Sequence, residues 1–155
     1  MFKHLLVPTD GSALSEAAIH MTVTLAAESG ARVTGLHVIP EFHVLAYGTE
    51  MIADNEERVI QAARQRADDY LAVITRAAAQ AGVACDTVAM NRAHPYEAII
   101  SVAEQRNCDL VVMASHGRSG MRAFLLGSET QKVLTHSQIP VLVVRQSTKT
   151  GHGAT

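Results

Sequence analysis

Four consecutive apolar residues, Leu110 to Met113, constrain the fold of this 155-residue chain more than any other stretch. The run has no polar alternation, which is typical of a parallel strand that is covered on both faces. A parallel strand reaches its neighbour only through a crossover connection, usually a helix. The sequence therefore predicts an α/β protein in which helices lie on both faces of a parallel sheet.

Strand and helix patterns alternate along the rest of the chain. Apolar residues spaced three and four apart predict helices between the strands, and Leu14, Ala18, Met21 and Leu25 are expected to form the buried face of the first helix. We expect one domain over residues 1–145, followed by a loose polar tail over residues 146–155. The five predicted strands cover residues 4–7, 32–39, 83–90, 110–113 and 139–145.

Composition and charge argue against several classes of function. The formal net charge is -2, so no broad basic field would recruit nucleic acid. The two cysteines, Cys85 and Cys108, do not make a disulfide framework, and we expect a reduced, cytoplasmic setting. Pro8 and Asp10 interrupt the first apolar stretch too early for a signal peptide, and no run approaches the roughly 18 residues that span a bilayer. The eight histidines lack tight metal-ligand spacing.

A loop with glycines follows the fourth strand and leads to a predicted helix. Gly117 would permit backbone angles that are closed to other residues and would let a ligand approach the main chain. Ser128 is predicted to cap the helix, and Gln131 would complete an S-x-x-Q capping box. The first amides of the helix, on Glu129 and Thr130, lack intrahelical partners, and with the helix dipole they favour an anion. The pattern predicts either a phosphate site or an ordinary turn between strand and helix.

The spacing of this loop matches a known motif. Ala114-x2-Gly117-x9-Gly127-Ser128 resembles the G-x2-G-x9-G-[ST] motif of the nucleotide-binding members of the universal stress protein family, with alanine at the first glycine. Residues 7–12, VPTDGS, extend the resemblance to the first strand, and it covers about residues 2–145. It implies a Rossmann-like fold with strand order 3-2-1-4-5, and binding of ATP or AMP.

The predicted site lies where the first and fourth strands end, if those strands are neighbours. Asp10 would hydrogen-bond ribose or help to hold Mg²⁺ beside the phosphates, or it is only a turn residue. His116 and Arg118 would contact phosphate, or face water. The resemblance implies that adenine meets the main chain of Val38. Together, the residues and the resemblance predict a nucleotide site formed by Pro8, Thr9, Asp10, His37, Val38, Met113, Ala114, Ser115, His116, Gly117, Arg118, Gly127, Ser128, Glu129 and Thr130.

The expected function is an adenine-nucleotide-binding protein of universal stress type that serves as a stress-response regulator or signalling module. A slow ATPase is one alternative, with Asp10 and His116 as the available acid–base groups. A dimeric interaction protein without nucleotide is another, and Gly117, Gly127 and Ser128 argue against it. The apolar strand over residues 139–145 is expected at the sheet edge, where unpaired main-chain groups favour a homodimer through this strand.

Overall fold

A computed structural model describes residues 1–41, 53–117 and 126–145. The predictions for Arg118 and for the tail over residues 146–155 lie outside the described residues. The strands are β1 (His4–Pro8), β2 (Arg32–Ile39), β3 (Cys85–Asn91), β4 (Leu110–Ala114) and β5 (Val141–Val144). The helices in the described part are α1 (Ala13–Ser29), α2 (Ala53–Gln80), α3 (Pro95–Gln105) and α4 (Ser128–His136).

All four strand pairings in the sheet are parallel, and the order is β3-β2-β1-β4-β5. The predicted fold class and strand order are therefore confirmed. Val7 is paired with Gly35 on one side of β1, and Leu6 is paired with Val111 on the other. The chain builds outward from β1 in one direction and then from β4 in the other. The carboxyl ends of β1 and β4 thus mark the topological switch point, where ligands bind in open α/β sheets.

The hydrophobic core consists of two layers, one on each face of the sheet. Leu5 and Val7 pack with Ile74 of α2 in one layer, whereas Leu6 packs with Ile99 of α3 in the other. Alternate residues of β1 therefore face opposite layers, as side chains of a strand must. The run from Leu110 to Met113 is buried on both faces, which explains why it carries no polar residue.

The first helix has the predicted ends but a different buried face. Ser12 caps its start by accepting a hydrogen bond from the amide of Ser15 at 3.2 Å, and Gly30 ends it in the left-handed conformation with φ 67°. Met21, expected inside, is 44% exposed. Small side chains allow a helix to approach a sheet closely, and they make up most of the buried face of α1. The buried residues of this helix are Ser15, Ala18, Ile19, Thr22, Val23 and Ala26.

The start of α4 differs from the predicted capping box. Gly127 is the cap residue, with φ -60° and ψ 153°, and Ser128 is already helical. The amide of Gln131 donates to the carbonyl of Gly127 at 3.0 Å, and its side chain donates to the carbonyl of Leu126 at 3.1 Å. The capping-box prediction is therefore wrong, because the helix begins one residue earlier than expected.

No helix in the described ranges is long and apolar enough to cross a membrane.

Candidate functional site

A cleft with a volume of about 240 Å³ lies at the carboxyl ends of β1 and β4. All the predicted site residues line it except Ser115, which is buried, and Arg118, which lies outside the described residues. Residues from four parts of the chain thus meet at the switch point of the sheet. The predicted lining residues are Pro8, Thr9, Asp10, His37, Val38, Met113, Ala114, His116, Gly117, Gly127, Ser128, Glu129 and Thr130.

The turn after β1 presents Asp10 to the cleft. Its Oδ1 accepts hydrogen bonds from the amide of Ser12 at 3.0 Å and from the hydroxyl of Ser15 at 3.1 Å. Gly11 makes the turn possible, because its φ of 79° is strained for other residues and because the ring of Tyr70 occupies the space of a side chain. The start of α1 therefore holds the Asp10 carboxylate in a defined orientation.

Thr9, just before Asp10, is fixed from both sides by β2. Its amide donates to the carbonyl of Leu36 at 2.8 Å, and its carbonyl lies 2.8 Å from Nδ1 of His37. A carbonyl can only accept, so Nδ1 of His37 carries the proton. The His37 ring also contacts Tyr70 edge-on, with ring centroids 5.2 Å apart. These contacts leave the turn little freedom to move.

Gly117 is required by space rather than by backbone conformation. The described glycines with positive φ are Gly11, Gly30 and Gly82, so the backbone of Gly117 does not itself require glycine. A Cβ on Gly117 would, however, overlap Oδ2 of Asp10. Gly127 is similarly confined, since a Cβ there would lie 3.1 Å from Cα of His116 and 3.3 Å from the carbonyl oxygen of Ser115. The motif glycines thus bring the two ends of the loop close to each other and to Asp10.

Ser115 anchors the loop instead of lining the cleft. Its amide donates to the carbonyl of Val144 at 2.8 Å, and its carbonyl accepts from the amide of Gly127 at 2.7 Å. Ala114, which replaces the family glycine, is an ordinary residue of β4. Its carbonyl accepts from the hydroxyl of Thr130 at 2.9 Å. The extra methyl group at Ala114 therefore requires no unusual backbone angle.

The main-chain N–H and C=O of Val38 face the cleft, because peptide groups point to alternate sides along β2. The carbonyl of Leu36 accepts from Thr9, on the side of β1, whereas that of Ile39 accepts from Arg92 at 3.2 Å, on the side of β3. Peptide groups alternate along a strand, so the N–H and C=O of Val38 point to the side of β1. Because β1 has ended there, they border the cleft.

Three cleft residues were missed by the sequence analysis: Ser15, Pro95 and Ile99. Ser15 lies in the first turn of α1, and the other two lie on α3. Proline at a helix start and a buried isoleucine are common in any helix, so neither residue indicates that α3 borders the cleft. Only the packing of α3 against α4 brings them there.

Glu129 links the starts of α3 and α4. Its Oε2 accepts from the amide of Tyr96 at 2.9 Å, and its Oε1 lies 3.5 Å from Nζ of Lys132. Glu129 thereby supplies the side-chain cap that His94, the residue before α3, does not provide. Within the described ranges, no group of three or more histidine, cysteine, aspartate or glutamate side chains could hold a metal ion.

Fold and site together define a parallel α/β protein with a cleft at its topological switch point, the place where open α/β sheets bind ligands. The chain belongs to the universal stress protein family, whose model matches residues 1–145. Universal stress protein YxiE of Bacillus subtilis is 34% identical over 149 residues, which cover 94% of this chain and 100% of that protein. The structure of protein MJ0577 of Methanocaldococcus jannaschii superposes with a TM-score of 0.81 at 28% identity, covering 96% of this chain and 99% of that one.

Two further solved structures contain adenine nucleotides. A universal stress protein in complex with cAMP has a TM-score of 0.59 at 24% identity and covers 94% of this chain and 98% of that one. The universal stress protein from Archaeoglobus fulgidus in complex with dAMP has a TM-score of 0.61 at 16% identity, with coverage of 94% and 98%. At these identities the likeness shows only that this chain and those proteins share a fold.

Proposed function

We propose that this protein binds an adenine nucleotide, ATP or AMP, in the cleft, and that it serves as a stress-response regulator or signalling module. One observation carries the proposal: the start of α4, the Gly117 loop and the Asp10 turn converge on a single cleft at the switch point of the sheet. The start of α4 suits the phosphates and Asp10 suits the ribose, and the main chain of Val38, which also lines the cleft, suits the base.

The phosphates are assigned to the start of α4. The first four amides of a helix have no intrahelical partner, and the positive end of the helix dipole lies with them. Ser128, Glu129 and Thr130 line the cleft at this point. Gly117 lines the same cleft, and its missing side chain lets the loop after β4 pack against Asp10. An anion bound here would be held mainly by backbone amides.

The nucleoside is assigned to the other half of the cleft. Asp10 would accept hydrogen bonds from ribose hydroxyls. Adenine offers an amino donor beside a ring-nitrogen acceptor, which matches the C=O and N–H of Val38. Met113 and Ile99 supply apolar walls for the base. Both cAMP and dAMP bind other proteins of this fold, but the proposal rests on the residues of this chain.

Mg²⁺ would enter with ATP rather than occupy a site of its own. Mg²⁺ is commonly bound by one or two carboxylates together with substrate phosphates. Asp10 is the carboxylate that would share the ion with the phosphates. Its position fits this arrangement, because the Asp10 carboxylate lies against Gly117 of the loop that leads to α4. A bound ion would offset phosphate charge next to the carboxylate.

Regulation is favoured over catalysis because the cleft offers amides that hold phosphate in its ground state. Such uniform binding does not accelerate a reaction. Asp10 and His116 are the candidate acid–base groups, and at most slow ATP turnover is expected. A turnover number near that of metabolic enzymes, about 10 per second, would contradict this assignment.

We also propose a cytoplasmic location and a homodimer joined through β5.

The small molecule that is released when the purified protein is denatured tests the proposed ligand directly. Chromatography and mass spectrometry of the supernatant should detect ATP, ADP or AMP in stoichiometric amounts, or the protein should take up one of them when it is added. A different cofactor released in stoichiometric amount would overturn the proposal.

A further inference from the structure

Ser15, which neither the motif nor the resemblance singles out, is buried directly beneath Asp10. The residue is 3% exposed and still borders the cleft. It lies in the first turn of α1, where its side chain points toward the turn after β1 rather than to solvent. A buried hydroxyl must be fully hydrogen-bonded to be tolerated, so its partners indicate what it does.

The Ser15 hydroxyl has three polar side-chain neighbours at the same distance. Oγ of Ser12, Oγ1 of Thr9 and Oδ1 of Asp10 all lie 3.1 Å from its oxygen. A hydroxyl can accept two hydrogen bonds and donate one. Thr9 and Ser12 have protons to donate, whereas the carboxylate has none. The arrangement that satisfies every group has Ser15 accepting from the two hydroxyls and donating to Asp10.

A competing acceptor does not change this assignment. The carbonyl of Ser12 lies 2.9 Å from the Ser15 hydroxyl. The charged oxygen of Asp10 is the stronger acceptor, because hydrogen bonds to ionised groups are about twice as strong as neutral ones. The Asp10 oxygen also accepts the amide of Ser12 at 3.0 Å. Two donors from the start of α1 thus converge on Oδ1 and set the plane of the carboxylate.

We propose that Ser15 is a positioning residue that orients the Asp10 carboxylate toward the sugar of the bound nucleotide. The inference rests on the proposed function and concerns the part of the ligand that Asp10 reads. With Oδ1 held by α1, Oδ2 lies against Gly117, which also lines the cleft. Removal of the Ser15 hydroxyl deletes one of the donors that fix Oδ1, so the carboxylate is oriented less strictly, and only ligands that use it should be affected.

Ser15→Ala tests this role with two ligands, ATP and 2′,3′-dideoxy-ATP, which lacks both sugar hydroxyls. Alanine keeps the helix and removes one atom, so the fold should be retained, and thermal unfolding checks this. ATP affinity, measured by calorimetry, should fall about threefold to tenfold. The titrations omit Mg²⁺, which would let the phosphates of both nucleotides use Asp10, and under this condition affinity for the dideoxy nucleotide should stay unchanged. Ser15→Cys, which keeps the volume with a weaker donor, is a second variant expected to behave in the same way.

Two comparisons separate positioning from a structural role. Ser29→Ala removes another hydroxyl of α1, one that only donates to the carbonyl of Leu25, and should change neither affinity. In an Asp10→Ala background, Ser15→Ala should have no further effect on ATP binding. Equal losses for both ligands, or an undiminished loss without Asp10, would overturn the inference. Wild-type protein that binds neither nucleotide would instead contradict the proposed function itself.

Discussion

Gly117, in the loop after β4, lies against the Asp10 carboxylate, so its substitution is the sharpest test of the proposed site. A side chain at this position would collide with the Asp10 carboxylate. The backbone there does not have the positive φ that other glycines of this chain require, so a larger residue is not strained by conformation.

Gly117→Val should therefore abolish nucleotide binding while the protein remains folded. Crowding is expected to cost about 1–3 kcal/mol of stability, the usual range for overpacking. Calorimetric titration with ATP and thermal unfolding measure the two effects. Ala27→Val, on the exposed side of α1, is the matched control and should bind normally. A folded Gly117→Val protein with unchanged affinity would remove the site assignment.

His4, at the opposite end of β1, gives the protein a pH dependence that is independent of the cleft. The ring is buried, and its Nε2 lies 2.7 Å from the hydroxyl of Thr34. Burial, with the charge of Arg32 as a second cause, lowers the pKa of His4 below its usual 6.5. The unfolded chain therefore takes up a proton at a higher pH than the folded chain does.

Stability should accordingly decrease as the pH falls below about 6.5, because only the unfolded state is protonated there. Each pH unit in that interval costs about 1.4 kcal/mol at most. His4→Gln should flatten the change in Tm between pH 7.5 and pH 5.5, whereas His20→Gln, at an exposed position on α1, should not. An equally steep profile in the His4 variant would mean that other groups cause the acid sensitivity.

At the scale of elements, the start of α4 carries the proposed phosphate site. Ser128 is the first helical residue, and Gly127 before it has the extended backbone that precedes proline in most proteins. Proline is favoured at the first helical position and lacks an N–H. A single substitution can therefore delete one amide of the anion site without disturbing the helix.

Ser128→Pro should weaken ATP binding about tenfold or more, the effect of losing one hydrogen bond to a charged group. Ser128→Ala keeps the amide and removes only the hydroxyl, so its loss should be smaller. Affinities for ATP, measured by calorimetry, compare the two variants, and circular dichroism checks the helix content. If alanine proves as harmful as proline, the hydroxyl rather than the amide binds the ligand.

The elements themselves were largely predictable, but their rotation and exact ends were not. The run from Leu110 to Met113 indicates a buried strand because both of its faces must be apolar. Met21 was misplaced because α1 carries apolar residues on more than one side, and the buried side was decided by small residues that let it approach the sheet. The start of α4 shifted by one residue because the carbonyl of Gly127 already accepts an intrahelical bond.

The parts of the candidate site that lie in short stretches after strands could be predicted from the sequence. The parts that only the packing of the fold brings to the cleft could not. The Asp10 turn and the loop from Ala114 to Gly117 follow strands, so a parallel sheet brings them to one edge. Ile99 and Ser15 reach the cleft only through the packing of helices, which no short motif records. The role of Gly117 was also misjudged, since its need for space depends on a contact 107 residues away along the chain, with Asp10.

For the molecule as a whole, β5 is the outermost strand at one edge of the sheet among the described residues. The carbonyls of Pro140 and Val144 accept from β4, at 2.9 and 2.8 Å. By alternation, the N–H and C=O of Val143 point away from β4, toward the rim. Leu142 on the same strand is 38% exposed. An apolar edge strand favours pairing with another strand, and a two-fold axis would let β5 pair with its own copy.

Val143→Pro should therefore weaken the homodimer, because it removes an outward-facing N–H without touching the pairing to β4. Val143→Thr keeps the N–H and the branched shape, and serves as the control. Sedimentation velocity at micromolar concentration measures the association state. Wild-type protein that sediments as a monomer would refute the dimer, and a proline variant that dimerises normally would place the interface elsewhere.

Calorimetric titration of the wild-type protein with ATP and AMP, each with and without Mg²⁺, measures whether the cleft binds an adenine nucleotide. We predict saturable binding of one adenine nucleotide per chain, and competition between ATP and AMP for the same site. For ATP, Mg²⁺ should strengthen binding through Asp10. Absence of saturable binding of either nucleotide up to millimolar concentration would contradict the account.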